Sequence, residues 1–241
     1  KEFYRAYDLV RKAGFEDINV DLMFGLPNQS LRDCRDTLEE AISLDSEHIS
    51  LYSLILEEGT PMHRWYKDGK MELPDDELER DMYHMGQELL RTRGYDQYEI
   101  SNFCKEGFEC KHNLYYWKLK PYIGFGLSAH SNMDSRRFWN YSSFEGYYNS
   151  LDKGSFPIEG EEHIDTELEM AEYMIMGLRM IKGIDRNEFH NRFHIDVEDI
   201  YGAVLEEYES RGLLDMDGGS IRFTPRGLDL SNLVYVDLLP E

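Results

Sequence analysis

The chain has 241 residues, 41% of them hydrophobic and 31% charged, with 26 Lys and Arg against 48 Asp and Glu for a formal charge of −22. That is enough chain to bury a core as one large domain or two modest ones, and so acidic a surface repels phosphate backbones, which argues against nucleic-acid binding without a local basic patch. No apolar run approaches the roughly 20 residues of a membrane-crossing helix, and three cysteines, an odd number, point to a reducing, cytoplasmic setting and not a disulfide scaffold.

The opening KEFYRAYDLVRKAGF spaces its apolar residues among charges at helical intervals, unlike a signal peptide, and a first residue that is Lys hints at a piece of something longer. Phe3, Ala6, Val10 and Ala13 fall on one helical face, expected to be buried, and Gly14 stands where a C-terminal cap belongs. Ile18, Val20, Leu22 and Phe24 then alternate with Asn19, Asp21 and Met23 in a strand that ends at Gly25-Leu26-Pro27. Ser30 can cap a helix with the stripe Leu31, Cys34, Leu38 and Ala41, and HISLYSLIL follows as a second strand. A third helix carries Leu78, Met82, Met85 and Leu89, closes at Gly94 and leads to the strand YEIS. Helices alternating with short strands predict parallel β/α units.

Residues 121–130, PYIGFGLSAH, contain G-x-G-x-x-A, but no amphipathic helix follows, so a dinucleotide site lacks its context. From about residue 145 the pattern becomes helical. Thr166 and Glu169 read as a capping box before the stripe Leu168, Ala171, Ile175 and Leu178. Amphipathic stretches around Phe189 and from Val197 to Tyr208 follow, then Leu213-Leu214, the turn Asp217-Gly218-Gly219, and Ile221 with Phe223. Three helices and a hairpin outline a winged helix, but Glu198, Asp199, Glu206, Glu207 and Glu209 make its recognition helix acidic, fit for packing or for covering a site more than for DNA. The predicted division is residues 1–144 and 145–241.

The densest chemistry lies in Tyr98 to Trp117, YEISNFCKEGFECKHNLYYW. Neutral imidazole is a common axial ligand of haem-type metals, so His112 is a candidate donor, and Tyr115, Tyr116 and Trp117 offer ring faces for a flat conjugated ligand. The plainer alternative is a hydrogen-bonded histidine beside an aromatic strand. Asp21 is expected on the inner face of a β/α barrel, where an acid is costly unless it binds something, or else at a strand end where it caps a turn. Cys34 reads as a core residue. Cys104 and Cys110, with five residues between them, depart from structural zinc spacing even with His112 close by. His163, His190 and His194 stand among acids and read as solvated.

Four segments in order, VDLMFGLPNQS, HISLYSLILEEGTPM, YEISNFCKEGFECKHNLYYW and YIGFGLSAHS, resemble the oxygen-independent coproporphyrinogen III oxidase-like radical S-adenosylmethionine proteins. The HNxxYW element, His112, Asn113, Tyr116 and Trp117, resembles the haem-chaperone branch. The resemblance implies an α/β fold: the C-terminal part of a partial (β/α) barrel over residues 1–144, then a mainly helical, winged-helix-like domain over 145–241. It implies S-adenosylmethionine near Asp21, Ile55 and His130, the last replacing an apolar residue of the true oxidases. It assigns haem to His112, Asn113, Tyr116 and Trp117, with His112 as the candidate iron ligand. It also implies a 4Fe-4S cluster on a CxxxCxxC triplet, which Cys34, Cys104 and Cys110 cannot supply, so this chain is expected to be truncated and inactive alone.

The implied function is haem binding and delivery to an acceptor protein. The alternative is oxidative decarboxylation of coproporphyrinogen III to protoporphyrinogen IX, and an acidic winged-helix regulator is a third, weaker reading. A barrel cut open leaves an apolar strand edge, so self-association or a disordered edge is expected.

Overall fold

A computed structural model describes residues 1–240, which fall into two compact units, the second beginning at residue 111. In the first, α1 (Glu2–Lys12) precedes β1 (Asn19–Phe24), α2 (Leu31–Ile42), β2 (His48–Ser53), α3 (Pro61–Lys67), α4 (Asp76–Thr92), β3 (Asp96–Glu99) and β4 (Asn102–Cys104). The sheet order is β1-β2-β4-β3, and β1 lies parallel to β2 with Asn19 opposite His48 and Asp21 opposite Ser50.

The alternation read from sequence holds in β1. Val20 and Phe24 are buried and Leu22 is half-buried on the helix-covered face, while Asn19, Asp21 and Met23 stay exposed on the other. That helix side is closed by α2 and α4, whose Cys34, Leu38, Met82, Leu89 and Leu90 pack with Phe24, Ile49, Leu51 and Phe103. Gly86 of α4 is a point of close approach, because a Cβ there would lie 2.7 Å from Leu51 Cδ2. Ser30 caps α2 as predicted, accepting from the Asp33 N–H while the Asp33 carboxylate accepts from the Ser30 N–H.

Three expectations are corrected. The YEIS segment is not a further parallel strand: it feeds a hairpin in which β4 is antiparallel to both β2 and β3. Only Ile100 and Ser101 separate β3 from β4, too short a link for the crossover that a parallel pair needs. The second strand ends at Ser53 and not at Leu56, since Leu54 turns its N–H to the Phe24 carbonyl, leaving Ile55 beyond the sheet. The predicted core face of α1 is largely open, with Phe3 51% and Val10 37% exposed. Tyr7 docks this helix instead: it packs with Val20 and Ala41, and its hydroxyl donates to the Leu44 carbonyl at 2.8 Å.

In the second unit α5 (Lys111–Trp117) comes first, followed by β5 (His130–Met133), β6 (Arg136–Asn140), α6 (Phe144–Asp152) and β7 (Ile158–His163). Strands β5, β6 and β7 form an antiparallel sheet in chain order. Then come α7 (Thr166–Leu178), β8 (Ile184–Asp185), α8 (Arg186–Phe193), α9 (Val197–Ser210), β9 (Leu214–Met216), β10 (Ser220–Phe223), α10 (Pro225–Asp229) and α11 (Ser231–Asp237). The winged-helix outline is present, as α7, α8 and α9 with the β9–β10 hairpin, to which β8 adds a third strand.

One core runs through this unit, joining Met174 and Leu178 of α7, Phe189 of α8, Leu205 of α9 and Ile221 of β10. The capping box expected of Thr166 and Glu169 does not form, because the helix starts one residue earlier than it requires. Asp165 is the N-cap, its carboxylate accepting from the Leu168 N–H at 2.9 Å, and Thr166 is the first helical residue. Among the described residues no helix is long and apolar enough to cross a membrane.

Candidate functional site

The predicted residues are divided between the units: Asp21 and Ile55 in the first, His112, Asn113, Tyr116, Trp117 and His130 in the second.

The HNLYYW segment is helical, not a strand, and this decides which of its rings share a face. His112 and Tyr116 stand four apart on α5 and therefore on one face. Their rings meet edge to face at 4.8 Å and 88°, and Tyr116 meets Tyr122 in the same way at 4.7 Å and 83°. Burial pushes the Tyr122 hydroxyl above its ordinary pKa. His112 is exposed and Tyr116 half-buried, so the imidazole is open to a ligand on a floor of tyrosines.

Trp117 is turned elsewhere. The Arg179 guanidinium lies 4.4 Å from the centre of its ring, and its indole N–H is enclosed without a hydrogen-bond partner. Trp117 and Lys118 border a cavity of about 170 Å³ with Tyr173, Gly183, Asp185 and Glu188, below the 300 Å³ or so of an ordinary cofactor pocket. That cavity is too small for a porphyrin. The helix end is braced by Arg192, which donates to the Leu119 carbonyl at 3.0 Å and to Glu169 at 2.6 Å.

His130 opens β5, is exposed, and stacks on its cross-strand neighbour Trp139 at 5.7 Å and 29°. The glycine-rich run before it is structural: a Cβ on Gly124 would sit 2.2 Å from the His130 carbonyl oxygen. The Asn140 amide donates to the Gly126 carbonyl, and Ser131 Oγ accepts from the Gly124 N–H.

In the first unit Asp21 projects from β1 on the face not covered by helices, consistent with the inner-face placement, and one carboxylate oxygen accepts from Asn19 Nδ2 at 2.7 Å. Ile55, 75% exposed, follows the end of β2. Sequence reading missed the neighbours of Asp21 on this face, namely Asn19, His48, Ser50 and Tyr98, which are hydrogen-bonded to one another. The period-two pattern already put Asn19 beside Asp21, whereas the pairing that brings His48 opposite Asn19 is visible only in the fold.

An iron–sulfur cluster does not fit the thiols present. Cys34 and Cys104 are buried, and burial pushes their thiols up to about 11 and about 12 respectively, away from the thiolate that binds metal. Among the described residues no three or more His, Cys, Asp or Glu gather as a metal site. His190, which pairs with Asp196 at 2.7 Å, is exposed, as are His163 and His194.

Comparison with known proteins adds the context. Residues 164–230 match the HemN C-terminal domain family. The chain is 34% identical over 241 residues to the haem chaperone HemW of Bacillus subtilis, covering 100% of this chain and 64% of that protein. It is 32% identical over 219 residues to HemW of Escherichia coli, covering 89% and 55%, and 31% identical to the mitochondrial radical S-adenosyl methionine domain-containing protein 1 of Bos taurus, covering 92% and 53%. The solved structure of the Escherichia coli coproporphyrinogen III oxidase HemN, a radical SAM enzyme, superposes with a TM-score of 0.78 at 18% identity, over 98% of this chain and 58% of that one. The chain thus spans less than two thirds of the length of these relatives.

Proposed function

We propose, from the match of residues 164–230 to the HemN C-terminal domain family and the likeness along the chain to the HemW haem chaperones, that this chain is part of a protein of that family, and that the whole protein binds haem and delivers it to acceptor proteins in the cytoplasm. The observation that carries this reading is the exposed His112 on a floor of edge-packed tyrosines. His112 is assigned as the donor to haem iron, with Asn113 and Tyr116 beside it. Trp117 is assigned a supporting role under Arg179.

Asp21 and Ile55 are assigned to S-adenosylmethionine, Asp21 as acceptor for its hydroxyl or ammonium donors and Ile55 as apolar contact. His130, stacked on Trp139, is assigned to S-adenosylmethionine by the resemblance of its segment alone. The 4Fe-4S cluster of the radical SAM proteins is assigned to cysteines other than Cys34, Cys104 and Cys110. Residues 1–144 are read as barrel with the HNxxYW segment and 145–241 as the winged-helix-like domain, with no nucleic acid as partner and no membrane span. The unpaired edge of β1 and the open face of α1 favour self-association of this chain.

The oxidase reading rests on the fold likeness to HemN. The two separate in one experiment on the full-length protein, loaded with haem or reconstituted anaerobically. Passage of haem to an apo-acceptor without turnover of coproporphyrinogen III supports the chaperone. Robust formation of protoporphyrinogen IX supports the oxidase.

A further inference from the structure

The face of the β1–β2–β4–β3 sheet opposite α2 and α4 carries a hydrogen-bonded chain whose directions can be worked out from one end. Asn19 Nδ2 is 2.7 Å from Asp21 Oδ1. An ionised carboxylate only accepts, so this nitrogen end of the amide must face it, and Asn19 Oδ1 is left to face His48 Nδ1 at 2.7 Å. An amide oxygen only accepts as well, so His48 carries its proton on Nδ1. The bare Nε2 of the neutral ring then accepts from the Tyr98 hydroxyl at 2.8 Å, and that hydroxyl in turn accepts from the Cys110 N–H at 3.3 Å. Ser50 fills the remaining capacity of Asn19, donating to its Oδ1 at 3.2 Å and accepting from its Nδ2 at 3.0 Å.

Asn19 therefore has both amide protons and both oxygen lone pairs engaged and cannot turn without breaking several bonds. His48 is 4% exposed and fixed at both ring nitrogens. Asp21 is exposed, as is Asn19, and its second oxygen is given no protein partner by this network. The arrangement is that of a buried histidine and serine fixing an amide that in turn supports an exposed acceptor, the same logic by which outer groups orient a ligating side chain.

We propose that Asn19 and His48, the latter held as its Nδ1–H tautomer, are positioning residues that present the Asp21 carboxylate to a donor-bearing ligand, which on the reading of Asp21 given above is S-adenosylmethionine. Tyr98 anchors the chain at its far end and joins it to Cys110, two residues before His112 in sequence.

The test uses the whole chain labelled with 15N, its His48 ring signals assigned by their loss in His48→Gln. The expected spectrum shows a protonated Nδ1 and a bare Nε2 at neutral pH. An Nε2–H tautomer or an imidazolium overturns the proposal. Titration with S-adenosylmethionine is expected to shift the His48 ring signals in the wild type, and Asn19→Ala is expected to weaken binding about fivefold to tenfold, the loss of one oriented hydrogen bond.

The outcomes separate the positioning role from the reading beneath it. Binding that is weakened by Asp21→Asn but leaves the His48 signals unmoved, and is unchanged in Asn19→Ala, overturns the positioning role and keeps Asp21 as a ligand contact. No binding by the wild type, or equal binding by Asp21→Asn, overturns the reading of Asp21 and the positioning role with it.

Discussion

Cysteine and histidine burial sets two tests at the scale of single residues. Cys34 and Cys104 are each 2% exposed with thiols raised by desolvation, whereas Cys110 is half-buried. Alkylation of the native chain at pH 8 is therefore expected to mark Cys110 first and to leave the other two until denaturant is added, a pattern read by mass spectrometry. His48 lies below its ordinary value of 6.5 because burial outweighs the pull of Asp17 and Asp21. With a native pKa below the unfolded one, the unfolded chain binds more protons under pH 6.5, so stability falls as pH drops from about 6.5 toward the lowered native value. Denaturant midpoints across pH 7 to about 5 are expected to fall in the wild type and to fall less in His48→Gln. The placement of Asp21 was legible because period-two alternation puts it opposite the apolar face. His48 was not, since its meaning comes from pairing with a residue 29 positions away.

Elements were legible where their own residues decide them and illegible where neighbours do. The helix after Ser30 announces itself by the cap, and Ser30→Ala is expected to cost about 1 kcal/mol in chemical denaturation, having lost the acceptor for the Asp33 N–H. The strands β5, β6 and β7 escaped notice because residues 130–163 carry charged and polar side chains on both faces. Their sheet is stabilised partly by cross-strand pairs such as Arg137 with Glu162 at 2.8 Å. The HNLYYW run has the aromatic content of a strand, yet it folds as a helix whose last turn Arg192 braces. In the winged-helix region the hairpin and α10 are joined by a close approach: a Cβ on Gly227 would lie 1.9 Å from the Leu213 carbonyl oxygen. Gly227→Ala is expected to destabilise by about 1–3 kcal/mol through forced displacement of backbone. Phe189→Ala, which empties the centre of the same core, is expected to cost about 3–5 kcal/mol. Either loss appears as an earlier thermal midpoint.

For the molecule as a whole, composition indicated an acidic chain, and four ordered motifs indicated the likeness to the HemN and HemW proteins that the comparisons also find. Boundaries were less legible, because two compact units meeting after Cys110 leave no run of Gly, Pro or Ser to mark the passage. The edge strand β1 and the exposed Phe3, Leu9 and Phe15 are expected to make the chain associate with itself as its concentration rises, which sedimentation velocity reads. The central claim concerns His112. Haem titrated into the chain and followed through the Soret band tests it directly, with wild type and His112→Ala side by side. The account predicts saturable binding by the wild type and at least about tenfold weaker binding by the variant, the loss of an axial donor. Equal binding by the two would contradict it.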